Sequence, residues 1–205
     1  MTPVIALAGN PNVGKSTVFN ALTGLHQHTG NWSGKTVGTA EGHFRCGKKE
    51  VRLVDLPGAY SLTANSAEEE VTRDFLCFEH PDAAVVVCDA CCLERNLIFA
   101  IQVAQIIPKT MLCVNMMDEA RHRGIKIDLA ALSAETGLPA VGVSATRYEG
   151  LDELERQMIS LAEGRLHSVF VPVRYPKAVE SAAESLTPVL RKRYGITSIF
   201  TVLKL

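Results

Sequence analysis

The sequence contains no long hydrophobic run. Its best apolar runs, such as Ala83–Cys88, have the length of a strand, whereas a membrane-spanning helix needs roughly 18 apolar residues in succession. The first residues, Met1 to Leu7, contain no basic segment and no cleavage site, so we expect no signal peptide. We therefore expect a cytoplasmic domain that does not insert into a membrane itself, although it can still be one part of a longer membrane protein.

The sequence also lacks an excess of basic residues. Lys and Arg number 21 and Asp and Glu number 22, which gives a formal net charge of −1. Domains that bind nucleic acid usually carry a basic excess, so we expect no nucleic-acid partner. With 205 residues, 47% of them hydrophobic and 21% charged, the chain has the composition of one globular domain with a small appendage.

The cysteines do not form the usual pattern of a metal site. Cys88-x-x-Cys91, followed by Cys92, is one close group, whereas a structural zinc site normally needs four ligands that often come as two such pairs. Cys46 and Cys113 lie in apolar runs, where a reduced cysteine behaves as a small hydrophobic residue. We expect ordinary thiols in a reducing compartment, with a redox or metal role for the close group as the less favoured alternative.

Short apolar runs alternate with amphipathic stretches along most of the chain. This pattern predicts an α/β fold with a mostly parallel six-stranded sheet and helices on both faces. A hairpin between Glu41 and Leu56 adds an antiparallel strand. The polar stretch Leu25–Ala40 is predicted to be a long loop, and a loop of that length in a compact domain is usually functional.

The sequence predicts a division of the chain into two parts. Residues 1–164 form the α/β domain, and residues 165–205 form a linker followed by a short or truncated helical appendage. In that appendage, apolar residues at helical spacing predict a helix over Lys177–Arg193, with a further short helix after Ile196.

A phosphate-binding motif follows the first predicted strand. The segment Gly9–Ser16 matches G-x-x-x-x-G-K-[ST] and opens a predicted helix, which is the context that this motif requires. Its backbone N–H groups can surround an anion, while Lys15 reaches the β- and γ-phosphates and the Ser16 hydroxyl ligates Mg²⁺. The predicted phosphate-site residues are Gly9, Asn10, Asn12, Val13, Gly14, Lys15, Ser16 and Thr17.

Two further segments complete the predicted phosphate site. Asp55 ends a predicted strand and can hold the Mg²⁺ shell, and the N–H of Gly58 is a candidate contact of the γ-phosphate. Thr36, in the long polar stretch, can ligate Mg²⁺ when a triphosphate is bound and release it afterwards. Thr29 and Thr39 are rival candidates for this role.

The sequence predicts a guanine-binding site behind a later buried strand. Asp118 of the N-x-x-D segment can accept hydrogen bonds from the N1 and N2 groups of guanine, which adenine lacks. Asn115 would brace this loop, and a backbone N–H of Ser144-Ala145-Thr146 can donate to the guanine O6. Met116 stands where such motifs usually have Lys, so it can pack on the base without a charge. The predicted base-site residues are Asn115, Met116, Asp118, Ser144, Ala145 and Thr146.

Five segments together resemble the N-terminal GTPase domain of ferrous iron transport protein B. They are Gly9–Ser16, Gly30–Thr36, Asp55–Leu62, Leu93–Leu97 and Asn115–Asp118. The resemblance implies a Ras-like P-loop domain that binds GTP and GDP with Mg²⁺. It also implies the cytoplasmic part of a bacterial inner-membrane protein, joined through a helical domain to a membrane permease and regulating ferrous iron transport. Small cytoplasmic regulators are further candidate partners.

The sequence departs from many GTPases at the position that would orient the attacking water. Ala59 stands where those proteins have Gln, so a positive charge must come from elsewhere, either from an arginine finger in trans or from a bound K⁺. Related GTPases hold K⁺ with a P-loop Asn, which Asn12 matches, and the carbonyls of Gly30 and Trp32 could complete its shell. We therefore expect slow, K⁺-stimulated hydrolysis. The predicted catalytic residues are Asn12, Lys15, Thr36 and Gly58.

Two alternatives remain open at this point. The first is a ribosome-assembly or tRNA-modification GTPase of the same K⁺-dependent class, whose P-loop has a similar sequence. The second is a guanine-nucleotide-binding module that gates a partner by its conformation, with hydrolysis only resetting it.

Overall fold

The computed structural model of the chain describes residues 2–24, 27–31, 38–47, 49–63, 65–170 and 173–194. Within these ranges one sheet of seven strands has the order β2-β3-β4-β1-β5-β6-β7. The strands are β1 (Val4–Gly9), β2 (Gln27–Asn31), β3 (Gly38–Cys46), β4 (Lys49–Asp55), β5 (Ala83–Asp89), β6 (Thr110–Asn115) and β7 (Ala140–Gly142).

The sheet is mostly parallel, as predicted. Strand β1 lies between β4 and β5 and is parallel to both, and the parallel pairing continues through β6 to β7. The hairpin of β3 and β4 is antiparallel, with Arg45 opposite Glu50. The fold class is confirmed, but the described sheet has seven strands where six were expected. The additional strand is β2, in the segment predicted to be a loop.

The sequence does not predict strand β2, because its residues are polar and do not alternate with apolar ones. It pairs antiparallel to β3 at the edge of the sheet, with Gly30 opposite Thr39. Backbone hydrogen bonds can hold a strand whose sequence has no apolar alternation, so the hydrophobic pattern does not predict it.

Several helices begin or end at a residue whose side chain or backbone suits a helix terminus. Ser66 caps the N-terminus of the helix Ala67–Phe78 by accepting from the Glu69 N–H at 3.2 Å. Asp128 caps the helix Leu129–Thr136 by accepting from the Ala131 N–H at 2.9 Å. Gly24 ends the helix Lys15–Thr23 in the left-handed conformation. The seven α-helices of the described residues are α1 (Lys15–Thr23), α2 (Ala67–Phe78), α3 (Leu93–Ile106), α4 (Met117–His122), α5 (Leu129–Thr136), α6 (Leu151–Ala162) and α7 (Lys177–Tyr194).

The core has two layers, one on each face of the sheet. In β5, Ala83, Val85 and Val87 pack in the layer that contains α1 and α6. The intervening residues Ala84, Val86 and Cys88 pack in the layer that contains α2 and α3. Every residue of this strand from Ala83 to Cys88 is buried, which explains why it reads as a continuous apolar run.

The segment predicted to be a linker packs on the α/β domain. The Val169 N–H donates to the Gly137 carbonyl at 2.7 Å, and the Tyr175 hydroxyl donates to Gln105 at 3.3 Å. Helix α7 confirms the predicted helix of the appendage. The division after residue 164 stays a prediction, and the short helix predicted after Ile196 lies outside the described residues. None of the described helices is both long enough and apolar enough for a bilayer span.

Candidate functional site

The predicted phosphate-site and base-site segments meet at one edge of the sheet. Gly9, Asp55 and Asn115 end the strands β1, β4 and β6, which run parallel, so all three lie at the carboxyl edge. Strands β2 to β4 lie on one side of β1 in the sheet, and strands β5 to β7 lie on the other side. The order of the strands therefore reverses at β1. In open α/β sheets this switch point is where ligands bind.

The loop after β1 has a backbone that few residues tolerate. Gly14 has a φ of 78°, and a Cβ added there would lie 2.4 Å from the Asn115 Nδ2. A Cβ at Gly9 would lie 2.7 Å from the Val87 carbonyl oxygen. Asn12 has a φ of 66°, in the left-handed region that Asn adopts more readily than most residues. The two glycines therefore let the loop lie directly on β5 and on the base-site loop.

Lys15, Ser16 and Asp55 form one polar group at the start of α1. The Lys15 ammonium donates to Asp55 Oδ1, and the Ser16 hydroxyl lies 3.4 Å from Asp55 Oδ2. Burial raises the pKa of the Asp55 carboxyl, and the charge and hydrogen bond of Lys15 offset this only in part. A hydroxyl beside a carboxylate is the oxygen donor set that Mg²⁺ prefers, so these residues fit the predicted ion.

The Asp55–Gly58 segment lies against the phosphate loop. The Ala59 N–H donates to the Gly9 carbonyl at 3.1 Å, and a Cβ at Gly58 would lie 3.1 Å from the Pro11 Cα. A cleft of about 800 Å³ opens between the two loops. Its lining includes the predicted residues Asn10, Asn12, Gly14, Lys15, Ser16, Thr17 and Gly58.

Two buried side chains differ from the pattern expected near this cleft. Ala59 is 1% exposed and apolar, so its side chain cannot orient a water. Asn10 is also buried, and among the described residues its Oδ1 has no hydrogen-bond partner. The chemistry for which many GTPases use Gln must therefore come from other groups.

Glu69 is a further residue of this region, and its place in the sequence alone does not reveal its role. Its Oε1 accepts from the N–H groups of Tyr60 and Ser61 at 3.2 and 3.1 Å, and its Oε2 accepts from the Asn65 N–H at 3.0 Å. The spacing Ser66-x-x-Glu69 marks a helix start in the sequence, where the Glu usually turns back to the cap residue. Here it holds the loop after Gly58 instead.

The same loop also rests on α3. The Leu62 N–H donates to the Gln102 Oε1 at 2.8 Å, and the Arg95 guanidinium lies 5.0 Å from the centre of the Tyr60 ring. Arg95 belongs to the Leu93–Leu97 segment of the family resemblance. That segment therefore provides part of the surface on which the loop after Gly58 lies.

Asn115 joins the predicted base site to the phosphate loop. Its Nδ2 donates to the Val13 carbonyl at 3.1 Å, and its Oδ1 accepts from the Ala145 N–H at 3.2 Å. The Ser144 hydroxyl accepts from the Asp118 N–H at 3.1 Å. The structure therefore brings together the N-x-x-D and Ser-Ala-Thr segments, as the sequence predicted. Within the latter, Ser144 and Ala145 are buried, whereas Thr146 is exposed.

Met116 and Asp118 give the base site one apolar group and one charged group. A Cβ at Gly14 would lie 3.3 Å from the Met116 Cε, which places this methyl group over the phosphate loop. Burial raises the pKa of Asp118, but hydrogen bonds from the backbone N–H groups of Glu119 and Asp118, with the charge of Arg147, lower it below the usual value overall. Asp118 is therefore a charged acceptor at neutral pH.

Arg147 is a further residue of the base site, beyond those predicted from the sequence. Its Nε lies 2.9 Å from the Asp118 Oδ2, and its side chain is 60% exposed. Arg147 follows the predicted Ser-Ala-Thr segment directly, but a sequence does not show that a side chain turns back onto a particular carboxylate.

Several predicted residues cannot be placed in the site. Thr36 and Trp32 lie outside the described residues, so their predicted roles stay predictions. Gly30 lies in β2, and its proposed contact with K⁺ is likewise untested. Of the rival threonines, Thr39 is buried in β3, and Thr29 lies in β2.

The cysteine group forms no metal site among the described residues. Cys88 is buried, Cys91 is half-buried and Cys92 is exposed, and all three are free thiols. No cluster of three or more His, Cys, Asp or Glu side chains in the described ranges is arranged to hold a metal ion.

Comparison with known proteins identifies relatives along most of the chain. A family model described as ferrous iron transport protein B matches residues 3–158. An Fe(2+) transport protein A/Fe(2+) transporter FeoB fusion protein of Porphyromonas gingivalis is 40% identical over 195 residues, 94% of this chain. The Fe(2+) transporter FeoB of Escherichia coli is 36% identical over 190 residues, 91% of this chain. The matched regions cover 23% and 24% of those proteins, so this chain spans about a quarter of their length.

Solved structures show the same fold. The cytosolic domain of the T. maritima FeoB iron transporter in a GDP form superposes with a TM-score of 0.89 at 35% identity. That match covers 100% of this chain and 81% of the other. The FeoB G-domain from Methanococcus jannaschii superposes with a TM-score of 0.70 at 41% identity, covering 80% of this chain and 99% of the other.

Proposed function

The chain belongs to the ferrous iron transport protein B family, and from this premise we propose that it is a GTP-binding and GTP-hydrolysing switch domain. In this proposal it regulates ferrous iron transport through a membrane permease of the same full-length protein, on the cytoplasmic side of a bacterial inner membrane. Residues 1–164 form the GTPase domain, and residues 165–205 begin the helical connection. Small cytoplasmic regulators remain candidate partners.

One observation carries the proposal. The phosphate loop and the predicted base site are joined directly, because Asn115 bonds both the Val13 carbonyl and the Ala145 N–H. A nucleotide that places its phosphates on Lys15 can therefore extend its base towards Asp118. Guanine offers two N–H donors to that carboxylate and adenine offers none at the same edge, which favours GTP and GDP over adenine nucleotides.

The protein's own residues account for binding and orientation of the triphosphate. Polyphosphate would compete with Asp55 for the Lys15 ammonium, and the backbone N–H groups at the start of α1 would donate to the anion. Gly58 offers a further N–H on the opposite side of the cleft. Thr36 would close over the triphosphate from the first switch. These contacts favour the charge that develops on the transferring phosphoryl group.

We propose two cations for this site. Ser16 and Asp55, with Thr36, would hold Mg²⁺, which neutralises charge on the β- and γ-phosphates. Asn12, with the carbonyls of Gly30 and Trp32, would hold K⁺, which supplies positive charge in place of an arginine finger. Because Ala59 cannot orient water, we propose that hydrolysis is slow and is stimulated by K⁺.

The proposal is tested by single-turnover hydrolysis of GTP in KCl and in NaCl, with ATP as the control nucleotide. We expect GTP to be hydrolysed faster in KCl and ATP to be neither bound nor hydrolysed at comparable concentrations. Binding of GDP with no hydrolysis in either salt would favour a conformational switch that needs a partner. Absence of guanine-nucleotide binding would contradict the proposal as a whole.

The role of Asn12 needs a control for its backbone, because its φ of 66° alone explains why Asn occurs there. Asn12→Gly keeps that conformation without strain and removes the side chain, whereas Asn12→Ala also strains the loop by about 1–2 kcal/mol. We expect both variants to lose K⁺ stimulation and Asn12→Gly to retain GDP affinity. Stimulation that survives in Asn12→Gly would show that the side chain serves only the turn.

The alternative of a ribosome-assembly or tRNA-modification GTPase is not supported by the family match, and the net charge of −1 argues against an RNA partner. Full-length protein in vesicles provides the test of the transport role. Uptake of ferrous iron that is identical with GTP, with GDP and with the Lys15→Ala variant would contradict it.

A further inference from the structure

The base site contains an ion pair on the carboxylate that guanine would bind. Arg147 Nε lies 2.9 Å from Asp118 Oδ2. Guanine binds such a carboxylate through two donors, N1–H and the exocyclic 2-amino group, so it uses both carboxylate oxygens. The oxygen that Arg147 occupies is one of the two.

Backbone contacts with Ser144 bring Asp118 and Arg147 close together. The Asp118 N–H donates to the Ser144 hydroxyl at 3.1 Å, and the Ser144 carbonyl accepts from the Arg147 N–H at 2.9 Å. Ser144 therefore holds the backbones of both residues, in α4 and in the turn after β7. The Asp118 side chain is 21% exposed and the Arg147 side chain 60% exposed, so the pair lies at the protein surface.

Given the proposed function on which this inference rests, we propose that Arg147 lowers the affinity of the site for guanine nucleotides by competing with the base for Asp118. The guanidinium is a reversible intramolecular ligand of the carboxylate. The base must break this ion pair in order to bind, so the free energy of the pair reduces the binding free energy of the base. The binding free energy of the phosphates is not affected. A switch domain with such a competitor binds its nucleotide less tightly and exchanges it more readily.

The test compares Arg147→Met with the wild-type protein in titrations of fluorescent mant-GDP and in displacement of that probe by GDP and IDP. Methionine keeps an apolar stem of similar length and removes the donor. An exposed ion pair of this kind contributes little, so we expect the Kd for GDP to fall by about two- to fivefold. IDP lacks the 2-amino group and needs one carboxylate oxygen fewer, so its Kd should fall less and the ratio of the IDP to the GDP Kd should rise.

Arg121→Met is the matched control. Arg121 is 62% exposed and pairs with Glu149 at 2.7 Å in the same region, so its removal makes the same change in charge without freeing Asp118. We expect that variant to bind GDP as the wild type does. Thermal unfolding of all three proteins checks that none has lost its fold.

The possible results separate this inference from the proposed function. The proposed competition is overturned if Arg147→Met binds GDP as tightly as the wild type or more weakly. It is also overturned if the affinities for GDP and IDP increase by the same factor. If the affinity of Arg121→Met for GDP increases as much as that of Arg147→Met, the effect results from net charge, and the proposed competition is likewise overturned. A wild-type protein that does not bind mant-GDP at all would instead contradict the proposed function.

Discussion

Asn115 holds Val13, which lies 102 residues earlier in the chain, through a hydrogen bond from its side-chain Nδ2 to the backbone carbonyl. The other end of the same amide accepts from the Ala145 N–H. One buried side chain therefore fixes the phosphate loop, the N-x-x-D loop and the turn after β7 relative to one another.

Replacing Asn115 with Ala should loosen all three segments together. The change leaves the Ala145 N–H without its acceptor in a buried position, which costs about 1–3 kcal/mol of unfolding free energy. We expect GDP affinity to fall as well, because the loops lose their common support. Chemical denaturation measures the first effect and mant-GDP titration the second.

Thr146→Ala provides the comparison for Asn115→Ala, because Thr146 is exposed in the same turn. We expect the unfolding free energy of Thr146→Ala to differ from that of the wild type by no more than about 0.5 kcal/mol. Equal stability of the Asn115→Ala and wild-type proteins would show that the bridge contributes nothing to folding.

Glu69→Gln should release part of the loop after Gly58. The carboxylate accepts from three backbone N–H groups with two oxygens, and an amide in its place has only one acceptor oxygen. Hydrogen bonds to a charged group contribute about 1.5–3 kcal/mol, so the amides that lose their acceptor should exchange with deuterium about tenfold faster or more. Hydrogen exchange read by mass spectrometry on a peptide covering residues 59 to 66 measures this.

The neighbouring Glu68 is exposed and serves as the control for Glu69. Glu68→Gln removes the same charge from the first turn of α2 and should leave exchange in the loop unchanged. Similar acceleration in both variants would attribute the effect to the N-terminus of the helix and not to the three hydrogen bonds.

Asp55 should give the stability a distinct dependence on pH. Burial raises its pKa in the folded protein, whereas the unfolded chain has an ordinary value of about 3.9. The folded state therefore holds this proton more tightly, and the contribution of Asp55 to stability falls as the pH rises from about 4 through the folded pKa.

Asp55→Asn removes that titration. We expect the unfolding free energy of the variant minus that of the wild type to increase as the pH rises above about 4, and to become constant once Asp55 is ionised. The variant also loses the ion pair with Lys15. This loss changes the free-energy difference by the same amount at every pH, so it does not alter the dependence on pH. Urea denaturation at a series of pH values supplies the data, and a difference that stays flat or falls with pH would contradict the raised pKa.

The cysteines should differ in reactivity by position. Cys92 is exposed, whereas Cys88 and Cys113 are buried. Burial raises the pKa of the Cys88 thiol to about 12 and raises that of Cys113 as well, so neither has a reactive thiolate at pH 8. Iodoacetamide followed by peptide mass spectrometry should label Cys92 first and reach Cys88 and Cys113 only in denaturant. Early labelling of Cys88 would indicate that the end of β5 opens readily.

Sequence alone determined the α/β class, the buried strand Ala83–Cys88, and the segments that meet at the carboxyl edge of the sheet, while the role of each residue there stays a prediction. The reason is that local patterns carry this information: apolar runs mark buried strands, and the glycines and Lys15 of the phosphate loop have a spacing that few other structures require. It did not determine β2, because a polar edge strand is held by backbone hydrogen bonds that leave no pattern in the side chains.

Tertiary structure alone decided which distant groups meet. Glu69 has the spacing of a helix-capping residue but holds the loop after Gly58. Arg147 directly follows the Ser-Ala-Thr segment, and its side chain lies on Asp118. Both contacts depend on the direction that one side chain takes after the sheet has brought separate loops to a common edge. That direction results from the packing of the whole domain, so the order of residues around Glu69 or Arg147 does not contain it.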